Sequence, residues 1–581
     1  MQLFSNSQVE KRRDVVNILL VSGFILFVGL AARNFAVVVS RRGLADRIHK
    51  TALIGEIMLV SLSGFLALVK YYAPVYLFVA GVLAYLVSHW IVGGHGLTTR
   101  PQLRKRHQSR SEFTVQSASN VFAFSFVTGL AVGVLAWNVI ADFSGPMKRT
   151  YVGDDASYHL PIAWNLQIHR SLWFPPDDYL VVLPEIGVRG SASDRTIYLG
   201  LNHELLVSLA WWVVGPYVEF LRLVNYMLMG HLMLLVYCYA KLVIRSNSVS
   251  WLVALAVFLL PVFQGRLLLG QISVFMNLKN DLFLTLMVLS AIYVVLEQWR
   301  DVDSDQNSNR IRADILLVSI VSAIAIGTKW YALLYVLLPV LSFGVLLILR
   351  GQLRLMNSVR LWLLIAGMGI VNNGAIVRNI LYFGDYTGGF GQQYGVVAPI
   401  GHTVLTIGNN PLAGIRFILL AWVTHGGGLG VIFPLITLWR VGGHWLRPPN
   451  SRWPLQITGT GLVLGTGSLL YGLVAIATSA IFFLIPASRV TLEWLWVQIR
   501  YAMPAFVLSQ LAVLSLRAFG KLDSPTSQMI VPLGVCLSVV CSLFMYFLPV
   551  HVAVLVALSL GAGLVGVVAQ RVRYERVRVN D

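Results

Sequence analysis

The sequence predicts an all-α polytopic membrane protein with about 14–15 transmembrane helices, and three observations carry that reading. First, 57% of the residues are hydrophobic and only 12% are charged, whereas a soluble domain is nearer 45–50% apolar and about 25% charged. Second, the apolar residues fall in repeated unbroken runs of about 20, the length that crosses the hydrocarbon core as a helix. Third, these runs do not alternate between apolar and polar residues, which argues against a transmembrane β-barrel.

The charge pattern fits the same class. The 44 Lys and Arg residues outnumber the 25 Asp and Glu, for a net charge of +19. Most of the basic residues lie between apolar runs, where they set topology, and a secondary attraction for anionic lipid headgroups follows. No nucleic-acid motif accompanies the charge, and no nucleic-acid partner is expected. The three cysteines, Cys238, Cys536 and Cys541, lie inside apolar runs. They read as small buried hydrophobes with no disulfide or zinc-finger spacing.

Taken in order, the first apolar run covers about 15–39, after Lys11, Arg12 and Arg13. It lacks a small-residue cleavage site and reads as a retained span. Runs at about 52–69 and 74–93 precede a strongly basic loop with Arg100, Arg104, Lys105, Arg106 and Arg110, which the positive-inside rule assigns to the cytoplasm. The span at about 117–141 then runs outward into a polar segment, about 143–200, expected to be a long external loop. Residues 202–215 read as a helix with an amphipathic start lying at the interface, with Trp211 and Trp212 at headgroup level. Further spans are expected at about 218–243, 250–268, 275–298, 313–327, 330–349, 361–377, 413–439, 456–484, 502–518, 529–548 and 550–570. One conflict stands at the start. Three N-terminal spans place Lys11, Arg12 and Arg13 outside, so either the rule has an exception here or one of the three segments is re-entrant or interfacial.

The candidate chemistry gathers at predicted outer ends of spans. Asp154 and Asp155, in Gly153-Asp154-Asp155-Ala156-Ser157-Tyr158-His159, follow the fourth apolar run. A carboxylate in a membrane-embedded cavity is costly and usually functional, and it can act as a general base toward a hydroxyl or amine. Lys329, in Gly327-Thr328-Lys329-Trp330, is placed to hold a phosphate as a point charge or to snorkel to the interface. Arg378 and Arg500, the latter beside Tyr501, sit at outer ends where a guanidinium can clamp phosphate oxygens or anchor a helix. Asn280 and Asp281 begin another span, where Asp281 is equally placed to cap the helix. His203 and Glu204 join this set, with His159, Asp177, Asp178 and Asp194 as weaker members. These acids and histidines admit a divalent metal but show no diagnostic spacing. No polar group is read at mid-span, where a transporter is expected to carry its site.

This layout resembles the GT-C superfamily of integral-membrane glycosyltransferases, most nearly its protein O-mannosyltransferase-like and aminoarabinose-transferase-like members. Gly153-Asp154-Asp155-Ala156-Ser157-Tyr158-His159 looks like the family's acidic pair in a first external loop. Asn202-His203-Glu204-Leu205 followed by Leu221-Arg222-Leu223-Val224-Asn225, then Lys279-Asn280-Asp281, Thr328-Lys329-Trp330, Arg378-Asn379 and Arg500-Tyr501-Ala502-Met503-Pro504, resemble further family segments in the same order. The resemblance implies transfer of a sugar from a polyprenyl-phosphate carrier to a glycan, lipid or protein acceptor on the outer face, with inversion. It makes Asp154 the base, has Asp155 assist it or help bind acceptor or metal, and gives Lys329, Arg378 and Arg500 the carrier phosphate. It also implies three regions: an N-terminal transmembrane extension over 1–112, a catalytic core over 113–520 with external loop 143–200, and a C-terminal hairpin with a basic tail over 521–581. The family's acidic loop normally follows its first helix, whereas here it follows the fourth. The expected setting is a bacterial inner membrane with the site facing the periplasm. The alternatives are an O-antigen ligase or polymerase type of enzyme and a transporter or flippase.

Overall fold

A computed structural model describes residues 2–41, 43–94, 115–144, 159–173, 200–215, 217–243, 247–260, 263, 280–300, 308–329, 332–384 and 549–580, with isolated positions at 503, 504, 507, 508 and 536. Every regular element among them is helical. In chain order the α-helices are α1 (Gln2–Val39), α2 (Leu44–Leu68), α3 (Pro74–Gly94), α4 (Val115–Ser144), α5 (Leu160–His169), α6 (Asn202–Val214), α7 (Val218–Leu221), α8 (Leu223–Val243), α9 (Asn247–Phe258), α10 (Asp281–Arg300), α11 (Ser308–Thr328), α12 (Ala332–Leu349), α13 (Val359–Asn372), α14 (Gly374–Phe383) and α15 (Pro549–Asn580). A 3-10 turn, Leu353–Asn357, joins α12 to α13.

Eight of these helices are long and apolar enough to cross a membrane, or nine if the bent pair α13–α14 is one span. The spans expected at 413–439, 456–484, 502–518 and 529–548 lie almost wholly outside the described residues. Large apolar side chains such as Leu26, Trp90, Leu363 and Val565 stand on the outside of the bundle. Water would not tolerate so much contiguous apolar surface, and lipid does. The protein is an all-α integral membrane protein.

Helix α10 is the axis of the core. Nearly all of it is buried, and α8, α11 and α12 pack around it. Two sets of cross-contacts define the ends of the bundle. At one end Lys50, near the start of α2, bonds Glu297 near the end of α10 at 2.7 Å, and Arg41 pairs with Asp314 near the start of α11. At the other end the Leu201 N–H donates to Gly327 O at 3.0 Å, and Asn202 Nδ2 donates to Asn372 O at 2.9 Å. These are called the Lys50 end and the Lys329 end.

The three N-terminal helices are each unbroken and long and apolar enough to cross a membrane. α1 and α3 run parallel, with Phe27 against Phe78 and Tyr85 and Asn34 Nδ2 bonded to Ser88 Oγ at 3.1 Å. α2 packs on α1 in the opposite sense and ends at the Lys329 end, where Leu172 N–H donates to Ala67 O at 2.9 Å. None of the three is re-entrant, so α1 begins at the Lys329 end. α2 also packs on α6, α8 and α13.

Three other expectations change. α6 is not an interfacial helix. It is 13 residues long, and Asn202 through Leu209 and Trp211 are buried. Its stop is Gly215, whose φ of 76° suits glycine alone among common residues. The expected span at 361–377 is bent by 67° at Asn373, between α13 and α14. α9 is a 12-residue helix ending at Phe258 rather than a span reaching 268.

α4 and α15 pair antiparallel through small residues. A Cβ on Gly133 would lie 2.7 Å from Leu555, and one on Gly566 2.3 Å from Ser125 Oγ. Close backbone approach of this kind is a main source of helix adhesion in lipid.

Candidate functional site

The described candidates do collect at the Lys329 end. α5 opens with Pro161 in its first turn, where a missing N–H costs nothing, and its entry positions His159. α6 begins beside it and carries His203 and Glu204 in its first turn. All three side chains are fully buried. His159 Nδ1 lies 2.6 Å from Glu204 Oε1, and His203 Nδ1 lies 3.8 Å from the same oxygen. The two rings meet edge to face at 5.7 Å. On its far side, His203 Nε2 is 3.1 Å from Asn225 Oδ1 on α8.

Burial alone would raise the Glu204 carboxyl. The hydrogen bond from His159 and the nearness of the two imidazoles outweigh it and hold the group at about 2. One potential ligand atom from each of the three residues lies within 4.8 Å of the others. Glu204 Oε2 and His203 Nδ1 have no hydrogen-bond partner among the described residues. Two imidazoles and a carboxylate with spare lone pairs form a donor set that a divalent cation fits.

A second polar cluster shares a wall with the first. Lys329, just past α11, forms an ion pair with Asp281 in the first turn of α10. Asp281 is therefore a partner for Lys329, beyond the helix-capping role also open to it. Asn280 Nδ2 donates to Thr328 O at 3.5 Å. His203 packs at 6.3 Å from the ring of Phe283, which ties α10 to the histidine–glutamate cluster.

The wall is held by very close backbone approach. A Cβ on Gly327 would stand 1.9 Å from Asn372 O, and one on Gly200 2.3 Å from Gly327 O. Only glycine permits α6, α11 and α13 to meet this tightly.

Arg378 is placed differently from the expectation of an open phosphate clamp. It is fully buried. Its Nη1 donates to Leu172 O at 3.1 Å and its Nη2 to Asn379 Oδ1 at 3.0 Å, bracing the segment after α5 against α14. Asp154, Asp155, Asp177, Asp178, Asp194, Arg500 and Tyr501 lie outside the described residues.

Two buried polar groupings had no counterpart in the sequence reading. At the Lys50 end, Lys50 contacts Asp46 at 3.3 Å as well as Glu297, the Tyr293 hydroxyl donates to Asp46 Oδ1 at 3.4 Å, and Gln298 bonds Asp314. Midway along α2 and α8, Glu56, His231 and His49 form a hydrogen-bonded row. The expectation of no polar group at mid-span is therefore corrected. His49 and Glu56 stand seven residues apart on α2, and only the pairing of α2 with α8 brings His231 between them.

No known protein family, curated protein or solved structure matches this chain.

Proposed function

We propose that this protein is a glycosyltransferase that moves a sugar from a polyprenyl-phosphate carrier to an acceptor at the Lys329 end of the bundle. The observation that carries the reading is convergence. Residues quoted for the resemblance on five separate stretches (His159, His203 with Glu204, Asn280 with Asp281, Lys329, Arg378) fall at one end of the bundle. In the sequence Asp154 and Asp155 precede His159 by five and four residues.

In this reading Asp154 takes the proton from an acceptor hydroxyl or amine as that atom bonds the sugar's anomeric carbon. The bond from that carbon to the carrier phosphate oxygen breaks, and the lipid phosphate departs with the electron pair. Lys329 stabilises the phosphate charge, with Asp281 holding the ammonium in position. Arg378 braces the wall of the site. His159, His203 and Glu204 would hold a divalent cation, which when bound supplies Lewis-acid polarisation of a phosphate oxygen. The proposed setting is a bacterial inner membrane with this end toward the periplasm.

The test incubates the purified full-length protein with polyprenyl-phosphate sugars and a panel of glycan, lipid and peptide acceptors. Transfer that Asp154→Asn reduces by about 10²-fold or more supports the base. Undiminished transfer by the variant removes Asp154 from that role, and solute counterflow without transfer favours a transporter.

A further inference from the structure

The row of ionisable groups inside α2 and α8 is separate from the proposed transfer site and independent of it. Glu56 is the midpoint residue of α2, and His231 lies in the interior of α8. Glu56 Oε1 is 2.8 Å from His231 Nδ1. His231 Nε2 is 2.8 Å from His49 Nδ1, and the two rings are 5.0 Å apart. His49 and His231 are buried, and the Glu56 side chain is 15% exposed. An ionisable group at this depth is expensive and marks a functional path by default.

The geometry is that of a wire and not of a ligand cage. His231 uses both ring nitrogens, one toward each neighbour, so the three residues stand in line. We propose that Glu56, His231 and His49 form an intramembrane proton relay that carries one proton between the Lys50 end and the middle of α2.

The hydrogen-bond directions close for this step. With Glu56 ionised, His231 Nδ1–H must donate to it. His231 Nε2 is then an acceptor, and His49 Nδ1–H donates to it. That leaves His49 Nε2 bare, and it has no hydrogen-bond partner among the described residues. A proton arriving at His49 Nε2 releases the Nδ1 proton to His231 Nε2. His231 in turn releases its Nδ1 proton to Glu56. The end state holds one more proton: Glu56 is a carboxylic acid donating to His231 Nδ1, His231 Nε2–H donates to His49 Nδ1, and both imidazoles are neutral. Every hydrogen bond is kept with its direction reversed.

The groups around the His49 end suit a proton entry. Tyr293 of α10 packs edge-on to His49 at 5.2 Å and bonds Asp46. Asp46, Lys50 and Glu297 follow at the Lys50 end, with the Arg41–Asp314 pair beyond them. Tyr239 of α8 packs edge-on to Tyr293 at 5.2 Å, and Cys238 is its buried neighbour.

The experiment follows the carbonyl stretch of a protonated carboxyl by time-resolved difference infrared spectroscopy on the full-length protein in lipid nanodiscs after an acid jump. The band should be missing in Glu56→Gln. His49→Gln keeps a hydrogen bond in either direction but cannot pass a proton through its amide. It should slow appearance of the band by about a hundredfold without abolishing it. A band that survives Glu56→Gln, or a rate unchanged in His49→Gln, overturns the relay. If Glu56→Gln does not yield folded protein, isotope-labelled glutamate in the wild type identifies the band as a glutamate, and the His49→Gln rate still decides. Because the readout is the proton itself, failure of sugar transfer would leave this result untouched.

Discussion

At the scale of single residues, Lys329 and Asp281 show how far a local sequence reading reaches. Each was legible as a charged group at a span end, but their pairing was not, since 48 positions separate them. The pairing changes what a substitution should do. Asp281 is 3% exposed in its side chain and Lys329 12%. Lys329→Met takes the ammonium away from a buried carboxylate, and breaking a pair in that way costs about 3–5 kcal/mol. The double variant Lys329→Met with Asp281→Asn should recover most of that stability in detergent thermal unfolding, while sugar transfer stays lost. Recovery of transfer along with stability would show that Lys329 acts on the fold alone. The histidine–glutamate cluster gives a second prediction at this scale. Asn225 reaches His203 from behind, as outer partners of metal-binding histidines do. Asn225→Ala should therefore weaken binding of Zn²⁺ or Mn²⁺, read by calorimetry, by about 10–100-fold. Equal affinity in the two proteins would remove Asn225 from the site.

At the scale of elements, most helices could be read from apolar runs, because a 20-residue run has one low-cost solution in lipid. What the runs conceal is how helices end and meet. α6 looks like an interfacial helix because its polar start is followed by tryptophans, yet the polar start is buried by partners from other helices. Asn202 Nδ2 alone bridges Ile324 O and Asn372 O, both at 2.9 Å. The bend at Asn373 is equally hidden, since no proline marks it. The junction of α6, α11 and α13 turns on Gly327. In Gly327→Ala the new methyl would meet backbone oxygen at 1.9 Å, which no rotamer change relieves. Overpacking at this contact should cost about 3 kcal/mol and lower transfer with it. Gly367→Ala, where a Cβ meets nothing within 4 Å, should match or slightly exceed wild-type stability, because alanine is the better helix former by about 1 kcal/mol. Thermal unfolding of the two variants side by side checks the contrast. Equal behaviour would mean the junction is looser than its geometry.

At the scale of the whole molecule, charge placement and helix geometry disagree about the first three spans, and the geometry decides. The positive-inside rule counts Lys11, Arg12 and Arg13 as a reason to keep the N-terminus on the same side as the basic loop after α3. Three unbroken helices, with α1 parallel to α3 and α2 antiparallel to both, allow only opposite sides. The first two helices offer apolar stretches of 26 and 25 residues, long enough to cross the hydrocarbon core. Sequence could not reveal this, because the deciding contacts pair residues such as Phe27 with Tyr85 and Asn34 with Ser88 across two turns of the chain. The consequence can be measured with single cysteines in a background where Cys238, Cys536 and Cys541 are replaced by serine. Ser5→Cys, near the start of α1, and Tyr71→Cys, exposed at the Lys329 end, should react with a membrane-impermeant maleimide from the same side of sealed vesicles. Asn357→Cys, in the exposed turn before α13 near the Lys50 end, should react only from the other side. If Ser5→Cys instead labels together with Asn357→Cys, α1 does not cross, and the Lys329 end loses one of its walls. Joint labelling of Ser5→Cys and Tyr71→Cys would place three basic residues on the side where a lipid-carried phosphate is proposed to bind. The apparent violation of the charge rule would then sit on the side where an anionic substrate needs positive charge.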